Sequence, residues 1–446
     1  MRLNIKLHLT HLPLRQSNKM IKRHSIATAG CVMLIGLTGL CGCGSSSYTE
    51  KDTAGITKEA QEQKKTVAES VESDDSTKAK TKEQETNLSE TQSDDSIFNM
   101  ESLGKPTDHL QLAYAKNFSI DYYDGGYKLL TTKDGTQVLT VPEGKEAPDN
   151  LDESIIVLQQ PVNNIYLVSS AVMDMFRELN AFDTIGFSAQ KAENWYVDGA
   201  KAAMENGDIL YAGKYSSPDY ELLVSKKCSL AIENSMILHS PDVKEMLEDF
   251  DIPVIIEYSS YETDPLGRVE WIKFFGALTG KEEEAEKAFE KQTEIVKHVT
   301  ATKKTDKTVA FFYITSNGLV QVRQSNDYIP KMIELAGGRY IFENLGDEDS
   351  RRSTMNMQVE EFYKNAKDAD YLIYNSTVDG GVKSVDELIE KCSVLSDFKA
   401  VKSGDVWCTE KDVYQQSMSI GFLIEDIHNM LQGADDKEMN YLYRLD

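Results

Sequence analysis

Tryptophan, tyrosine and arginine side chains recur in segments that lie near predicted strands and helix starts. Aromatic faces stack on flat groups, and planar guanidinium groups hold carboxylates or catecholates through paired hydrogen bonds. This combination of residue types predicts a site for a bulky, partly anionic small molecule. The candidate ligand-binding residues are Trp195, Tyr215, Arg323, Tyr328, Arg351 and Tyr414.

Metal-binding and catalytic patterns are weak by comparison. The four histidines after residue 97 do not lie at the spacing of metal ligands, and the cysteines in that part of the chain are isolated from one another. Cys392 and Cys408 could form a disulfide outside the membrane, but the third cysteine, Cys228, weakens a disulfide framework. The sequence contains no Gly-x-Ser-x-Gly, Walker A, His-Glu-x-x-His or dinucleotide-binding glycine motif. We therefore expect no metal site, no cofactor and no enzymatic activity.

Two halves of the chain repeat a similar order of the strands and helices that must position these side chains. Such alternation is typical of parallel sheets flanked by helices, with ligands held by loops at the carboxyl ends of the strands. In the first half we predict strand 165–170, helix 171–180, a helix opening within 217–223 and strand 230–232. In the second half we predict strand 318–323, helix 328–336, a helix opening within 353–362 and strand 371–374.

The stretch 263–304 connects the two halves. Asp264, followed by a proline, predicts a helix start, Gly280 predicts a break, and the acidic run from Glu282 predicts a second helix to about residue 302. The predicted fold class is α/β: two α/β lobes with mostly parallel sheets joined by a single long helix. The predicted boundaries are 98–280 for the N-terminal lobe, 281–304 for the interlobe helix and 305–446 for the C-terminal lobe.

The first 97 residues indicate an export signal followed by a tether. An apolar run over 25–40 follows a basic start and is too short and glycine-rich to suit a transmembrane helix. Its end, Leu40-Cys41-Gly42-Cys43, resembles the bacterial lipobox, and this resemblance implies that Cys43 is lipidated. We predict a lipoprotein signal peptide at 1–42 and, because large apolar residues are almost absent, a disordered tether at 43–97.

The length of the chain bounds the number of its domains, and its charge limits the classes of partner that it binds. At 446 residues the chain is long enough for two domains with their own cores. The net charge is −25 at pH 7, from 73 Asp and Glu residues against 48 Lys and Arg residues. So acidic a surface argues against nucleic acid as a partner and against binding to an anionic bilayer by charge.

From about residue 118 to residue 431 the chain resembles the substrate-binding lipoproteins of ABC importers for iron-siderophores and cobalamin. One departure is Cys228-Ser229, where the family usually has Pro-Asp before a strand of the first lobe. The segments that carry the resemblance are 162–186, Tyr220-Glu-Leu-Leu, 271–289, Leu335-Ala-Gly-Gly-Arg, Val359-Glu-Glu-Phe and Asp368-Ala-Asp-Tyr-Leu-Ile.

The resemblance implies a periplasmic-binding-protein-like fold with a helical backbone, and an extracytoplasmic, lipid-anchored monomer. It also implies that Glu221 and Glu360 dock on arginines of an ABC permease that works with an ATPase, with Glu361 as the alternative to Glu360. Carboxylate–guanidinium pairs suit such a transient contact. The leading ligand is a ferric siderophore chelate, followed by cobalamin or another corrinoid, and heme. The alternative functional class is an exported protein that interacts with the cell surface and works without a transporter. An exported enzyme is the third class.

Overall fold

The computed structural model describes residues 103–346, 352–435, 437 and 439–446, which fall in one compact unit. The predicted signal peptide, the tether, Cys43 and Arg351 lie outside the described residues.

Strands and helices are numbered in chain order. The strands are β1 Asp108–His109, β2 Phe118–Tyr122, β3 Lys128–Thr132, β4 Gln137–Val141, β5 Ile156–Gln159, β6 Ile165–Leu167, β7 Ile185–Ser188, β8 Leu210–Tyr211, β9 Gly213–Lys214, β10 Ser217–Pro218, β11 Leu230–Glu233, β12 Val254–Ile256, β13 Thr308–Ile314, β14 Val320–Arg323, β15 Arg339–Tyr340, β16 Thr354–Met357, β17 Tyr371–Tyr374, β18 Val406–Thr409 and β19 Leu442–Arg444. The α-helices are α1 Ser170–Glu178, α2 Ala200–Asn206, α3 Tyr220–Ser225, α4 Pro241–Asp249, α5 Pro265–Glu270, α6 Ile272–Thr279, α7 Glu282–Thr300, α8 Tyr328–Leu335, α9 Val359–Ala366, α10 Val385–Lys391, α11 Lys399–Ser403 and α12 Ile420–Leu431.

The first five strands form a sheet of their own, separate from the sheets of the two lobes. Their order is β1-β2-β3-β4-β5, and all pairings are antiparallel except that of β4 with β5. Ile120 and Leu130 lie in the main core, whereas Leu129 and Leu139 lie in a small second cluster. Alternating burial of this kind occurs because successive strand side chains point to opposite faces.

The sheet of the first lobe is fully parallel, in the order β12-β11-β6-β7-β8. Its central strands are apolar on both faces because helices and loops cover both sides. α1 lies over one face, where Val172 and Phe176 are buried in the main core. Leu223 of α3 and Leu247 of α4 are buried in a separate cluster with Ala231 of β11.

The sheet of the second lobe is mixed rather than mostly parallel. Its order is β16-β14-β13-β17-β18-β19, with β15 also paired to β13. β13, β15, β17 and β18 are parallel, whereas β14, β16 and β19 pair antiparallel at the edges. The long central strand β13 was not predicted, and the predicted strand at 318–323 is the antiparallel β14. The similarity of the two halves is therefore partial, but two α/β lobes joined by a helix are confirmed.

The long helix α7 connects the lobes, as predicted. Gly280 ends α6 with φ +71°, and three glutamates form the first turn of α7. The buried side chain of Gln292 accepts a hydrogen bond from the Gly421 N–H at 2.8 Å. A Cβ at Gly421 would lie only 3.1 Å from the Gln292 carbonyl oxygen, so glycine permits the close approach of α12 to α7. The predicted cap also forms: the Asp264 carboxylate accepts from Leu266 N–H at 2.9 Å.

Two buried carboxylates hold the segment that precedes β2. Glu270 accepts hydrogen bonds from the N–H groups of residues 113, 114 and 115 at 2.8–2.9 Å. Glu262 accepts from the N–H groups of residues 116 and 117 at 2.9 Å, and from the Trp271 indole at 3.1 Å. Five consecutive backbone donors are thus satisfied by two side chains that are at most 3% exposed.

We expect Glu270→Ala to lower the free energy of unfolding by about 3 kcal/mol or more, because three backbone donors at the junction lose their acceptor. Chemical denaturation of the two proteins measures the difference. Glu286→Ala is the matched control, since Glu286 is half-exposed and, like Glu270, forms an ion pair with Lys273, at 3.0 Å against 3.6 Å for Glu270. That variant should change the free energy by less than about 1 kcal/mol, and equal losses would contradict the assigned role.

Candidate functional site

A cavity of about 350 Å³ lies where the loop after β12 faces the loop after β14. Both loops follow strands at the junction of the lobes, which is where ligands bind in two-lobe α/β proteins. The lining residues are Lys133, Ser260, Tyr261, Glu262, Thr263, Arg268, Asn326, Asp327, Tyr328, Arg352 and Ser353.

Arg268 connects the two lobes at this cavity. It lies on α5, and its guanidinium carbon is 3.6 Å from the ring centroid of Tyr328 in the second lobe. Its Nε donates to the Glu262 carbonyl at 3.0 Å, and its terminal nitrogen donates to the Ser260 carbonyl at 2.6 Å. Backbone carbonyls satisfy part of its donor set without neutralising its charge, so the guanidinium can still attract an anion.

Arg323 lies deeper and is almost fully buried. Its guanidinium donates to the Tyr414 hydroxyl and lies 3.6 Å from the Asp327 carboxylate. Burial alone would lower the pKa of Arg323, but Tyr414 and Asp327 outweigh that effect and the pKa is raised. Burial raises the pKa of Asp327, although Arg323 and Arg268 oppose the increase.

Tyr328 and Tyr414 enclose a smaller apolar cavity of about 60 Å³ beside Arg268. Tyr328 is buried, and burial raises the pKa of its hydroxyl. The Tyr414 hydroxyl also accepts a hydrogen bond from the Asn375 side chain at 3.1 Å. Three of the six predicted ligand residues, Arg323, Tyr328 and Tyr414, are therefore brought together at the lobe junction.

The other predicted ligand residues lie elsewhere. Trp195 is a buried core side chain whose indole donates to the Ser188 hydroxyl at 3.1 Å. Tyr215 is half-buried against the cluster beneath α3 and α4. Neither lines the cavities at the junction, because both pack on the first-lobe sheet, and their ligand role stays a prediction. Arg351 is outside the described residues, although its neighbour Arg352 lines the larger of these two cavities.

A third cavity of about 660 Å³ adjoins the first, with which it shares Glu262, Thr263, Asn326 and Asp327. One wall is the segment held by Glu262 and Glu270, which contributes residues 113, 114 and 116. The opposite wall is α8 and the residues around β15. Besides five acids, the lining includes three basic and three aromatic side chains: Lys116, Lys331, Arg339, Tyr114, Tyr340 and Phe342.

Arg268, Lys133 and Asn375 are not among the residues predicted from the sequence. Arg268 lies within the stretch interpreted as a connector, three residues after Pro265. The available signal was a basic side chain in a short helix whose other residues, except Glu270, are apolar. Lys133 and Asn375 gave no signal, because each reaches the site only through the folding of a distant sheet.

The predicted docking glutamates are solvent-exposed in the first turns of two helices. Glu221 lies in the first turn of α3, and Glu360 in the first turn of α9, next to the equally exposed Glu361. Carboxylates at these positions are favoured by the positive end of the helix dipole. Their role in docking stays a prediction.

Glu233 is a buried acid with no hydrogen-bond partner in the described part of the chain. It is the last residue of β11 and is fully buried. Burial raises the pKa of the nearby Tyr166 and Tyr220 hydroxyls, and Glu233 adds to the increase. Burial raises the pKa of Glu233 to about 8. An unpaired carboxylate in this environment is more stable when it is protonated.

The described residues contain neither a candidate metal-binding cluster nor a candidate membrane span. Among them, no three His, Cys, Asp or Glu side chains converge on a point. Cys392 and Cys408 are separate buried thiols. None of the helices placed by the structure combines the length and apolarity needed to cross a bilayer.

Comparison with known families assigns the fold. The family model described as periplasmic binding protein matches residues 165–413, more than half of the chain, and the chain belongs to this family. The resemblance drawn from the sequence is thus confirmed. Proteins of this family bind small molecules outside the cytoplasm and work with an ABC permease and its ATPase. The sheet β1–β5 precedes the matched region.

Two uncharacterized lipoproteins of Methanocaldococcus jannaschii are relatives. One is 27% identical over 334 residues, which is 68% of this chain and 77% of the relative. The other is 26% identical over 348 residues, which is 74% of this chain and 86% of the relative.

Solved structures of other periplasmic binding proteins are also similar to this chain. A possible iron-binding protein of Staphylococcus epidermidis matches with a TM-score of 0.48 at 15% identity, covering 61% of this chain and 99% of that chain. A periplasmic heme-binding protein of Vibrio cholerae matches with a TM-score of 0.49 at 14% identity, covering 60% and 98%.

We expect Glu233 to make stability fall as pH rises. Between pH 4.5 and about 8 the native state keeps the Glu233 proton and the unfolded state loses it. The free energy of unfolding should therefore decrease over this window by about 1.4 kcal/mol per pH unit from this group. Denaturation of the wild type and of Glu233→Gln from pH 5 to pH 8 measures the slope.

The slope should be smaller in Glu233→Gln, which cannot titrate at this position. The exposed Glu245→Gln is the matched control on α4 and should retain the wild-type slope. Identical slopes in wild type and Glu233→Gln would show that the buried carboxyl does not titrate in this window.

Proposed function

We propose that the chain is the lipid-anchored substrate-binding protein of an ABC importer, and that it holds a partly anionic chelate of the iron-siderophore type between its lobes. The observation that supports this proposal is the positive charge at the junction of the two lobes. In a chain of net charge −25, three cations, Lys133, Arg268 and Arg352, converge on one cavity of about 350 Å³. Of its two acids, Glu262 is engaged by backbone N–H groups, and Asp327 by Arg323 and the Ile329 N–H.

The size and lining of the adjoining cavities support a bulky ligand. Tyr114, Tyr340 and Phe342 offer aromatic surface in the cavity of about 660 Å³. Lys331 and Arg339 there form exposed ion pairs with Glu334 and Glu343. Such pairs contribute little and can be exchanged for a ligand carboxylate or catecholate. Cobalamin or another corrinoid, and heme, are the other bulky ligands to test.

The anchor and the docking residues complete the proposed function. Cys43 would carry the lipid, and the naming of two relatives as lipoproteins supports this assignment. Glu221 and Glu360 would contact arginines of the permease, one from each lobe, because both are exposed at helix starts. The alternative, an exported surface protein without a transporter, predicts no permease and ATPase genes beside this one.

We expect one ligand class to raise the melting temperature of the protein in a screen of ferric siderophores, cobalamin and heme, each paired with its metal-free form. For the ligand found, Arg268→Gln should weaken binding about tenfold to a hundredfold, because a charge-assisted contact is lost. Fluorescence titration measures the affinity.

Lys287→Gln is the control for this experiment, since it removes one positive charge on the solvent face of α7. It should bind like the wild type, and Arg268→Gln should melt within a few degrees of it without ligand. Equal affinities of the two variants would contradict the place of Arg268 in the site.

Charge reversal at the docking residues should separate transport from binding. Glu221→Lys combined with Glu360→Lys should abolish uptake of the ligand by intact cells and leave its affinity for the purified protein unchanged, because both residues lie away from the cavities. The exposed Glu283→Lys on α7 is the control and should transport normally. Lost affinity in the double variant would refute the docking role.

A further inference from the structure

Exposed apolar side chains are concentrated in one segment of the first lobe. Ten large apolar residues are exposed among those that the structure places, and five of them lie between residues 224 and 250: Val224, Met236, Leu238, Met246 and Phe250. Single exposed apolar residues are ordinary, but a cluster on the surface of a soluble domain indicates an interaction site.

Helices α3 and α4 bring part of this set together. Leu223 and Leu247 turn inward and are buried in the same cluster on the first-lobe sheet, so the two helices cover the same face. Residues three or four apart share one side of a helix. Val224 on α3 and Met246 with Phe250 at the end of α4 are exposed, and Tyr220, one turn before Val224, is half-buried beside them.

A direct contact joins the two pairs. The rings of Tyr220 and Phe250 have centroids 5.7 Å apart, so the apolar surface is continuous from α3 to α4. Tyr220, Val224, Met246 and Phe250 are called the α3–α4 patch. Val224, Met246 and Phe250 are exposed and Tyr220 is half-buried, and none of the four lines the cavities at the lobe junction.

The patch borders the docking residue of this lobe and is surrounded by acids. Glu221 and Val224 are three residues apart on α3 and share a side of that helix. The segment from Asp219 to Asp251 carries seven exposed carboxylates and three lysines, so its surface charge is negative. A second copy of this chain would bring the same acids against them, and an anionic lipid surface would also be repelled. The occupant must therefore have an apolar centre with basic side chains around it.

We infer that the α3–α4 patch is the apolar centre of a contact with the extracytoplasmic surface of the ABC permease, with Glu221 at its edge. This inference rests on the proposed function, in which Glu221 pairs with an arginine of the permease. Burial of the patch stabilises the complex through apolar area, whereas Glu221 orients the encounter. The contact of the first lobe is thus mixed in character rather than purely ionic.

Photo-crosslinking in intact cells tests this assignment without knowledge of the ligand. A photoreactive phenylalanine analogue replaces Phe250, Glu221, Glu360 or Val378 in the full chain, one position at a time. Val378 is the matched control, because it is apolar and 57% exposed in the second lobe, away from the patch. We expect the analogue at 250 to crosslink to the permease as strongly as the analogue at 221, and the analogue at 378 to do so at least tenfold less.

The outcomes separate the inference from the proposed function. Crosslinking from 221 and 360 but not from 250 would overturn the apolar contact and leave the importer role intact. A crosslink from 250 to a second copy of the chain would also overturn it, in favour of self-association. Absence of permease crosslinks from 221, 360 and 250 alike would refute the proposed function itself.

A double variant supplies a second readout. Met246→Ser with Phe250→Ser should reduce crosslinking from position 221 severalfold while the melting temperature and the ligand-binding signal stay at the wild-type values, because both side chains are solvent-exposed. Unchanged crosslinking from 221 in this variant would overturn the inference.

Discussion

The binding of backbone N–H groups by buried glutamates is the interaction on which the lobe junction depends. The loop after β12 carries Glu257 and Glu262, and the helix after it carries Glu270, all at most 3% exposed. Glu257 accepts from the Ser169 hydroxyl at 2.7 Å and from the Ser259 N–H at 2.8 Å, which ties the loop to the start of α1. Each buried charge is stabilised by several donors, which is the condition under which burial of an acid is tolerated.

This arrangement also determines the electrostatics of the cleft. Acids that already accept hydrogen bonds from the backbone leave fewer lone pairs for the arginines beside them. Arg268 therefore uses backbone carbonyls and the face of Tyr328 as partners, and its charge remains available at the cavity wall. A protein that is acidic overall can in this way present a locally basic surface between its lobes.

The sequence carried enough information for the lobes and the connecting helix, and three of the six predicted ligand residues, Arg323, Tyr328 and Tyr414, lie at the lobe junction. Apolar periodicity and the Asp264 cap located α5 and α7, because these signals are local. The pairing of β1–β5 into a separate sheet and the antiparallel direction of β14 could not be predicted, because strand partners are chosen by tertiary contacts. The burial of Trp195 could not be predicted for a similar reason: whether an aromatic side chain faces a cleft or the core depends on which side of the sheet its loop crosses.

The close packing of α12 on α7 at Gly421 has a consequence for how a ligand is bound. The side chain of Gln292 fills the space that a Cβ would occupy and holds the Gly421 backbone, so the final helix and the connecting helix form one stiff base under both lobes. A cleft on such a base is largely preorganised, and little conformational entropy is lost when a ligand enters. Differences in affinity between related ligands should then appear mainly as differences in residence time rather than in the rate of capture.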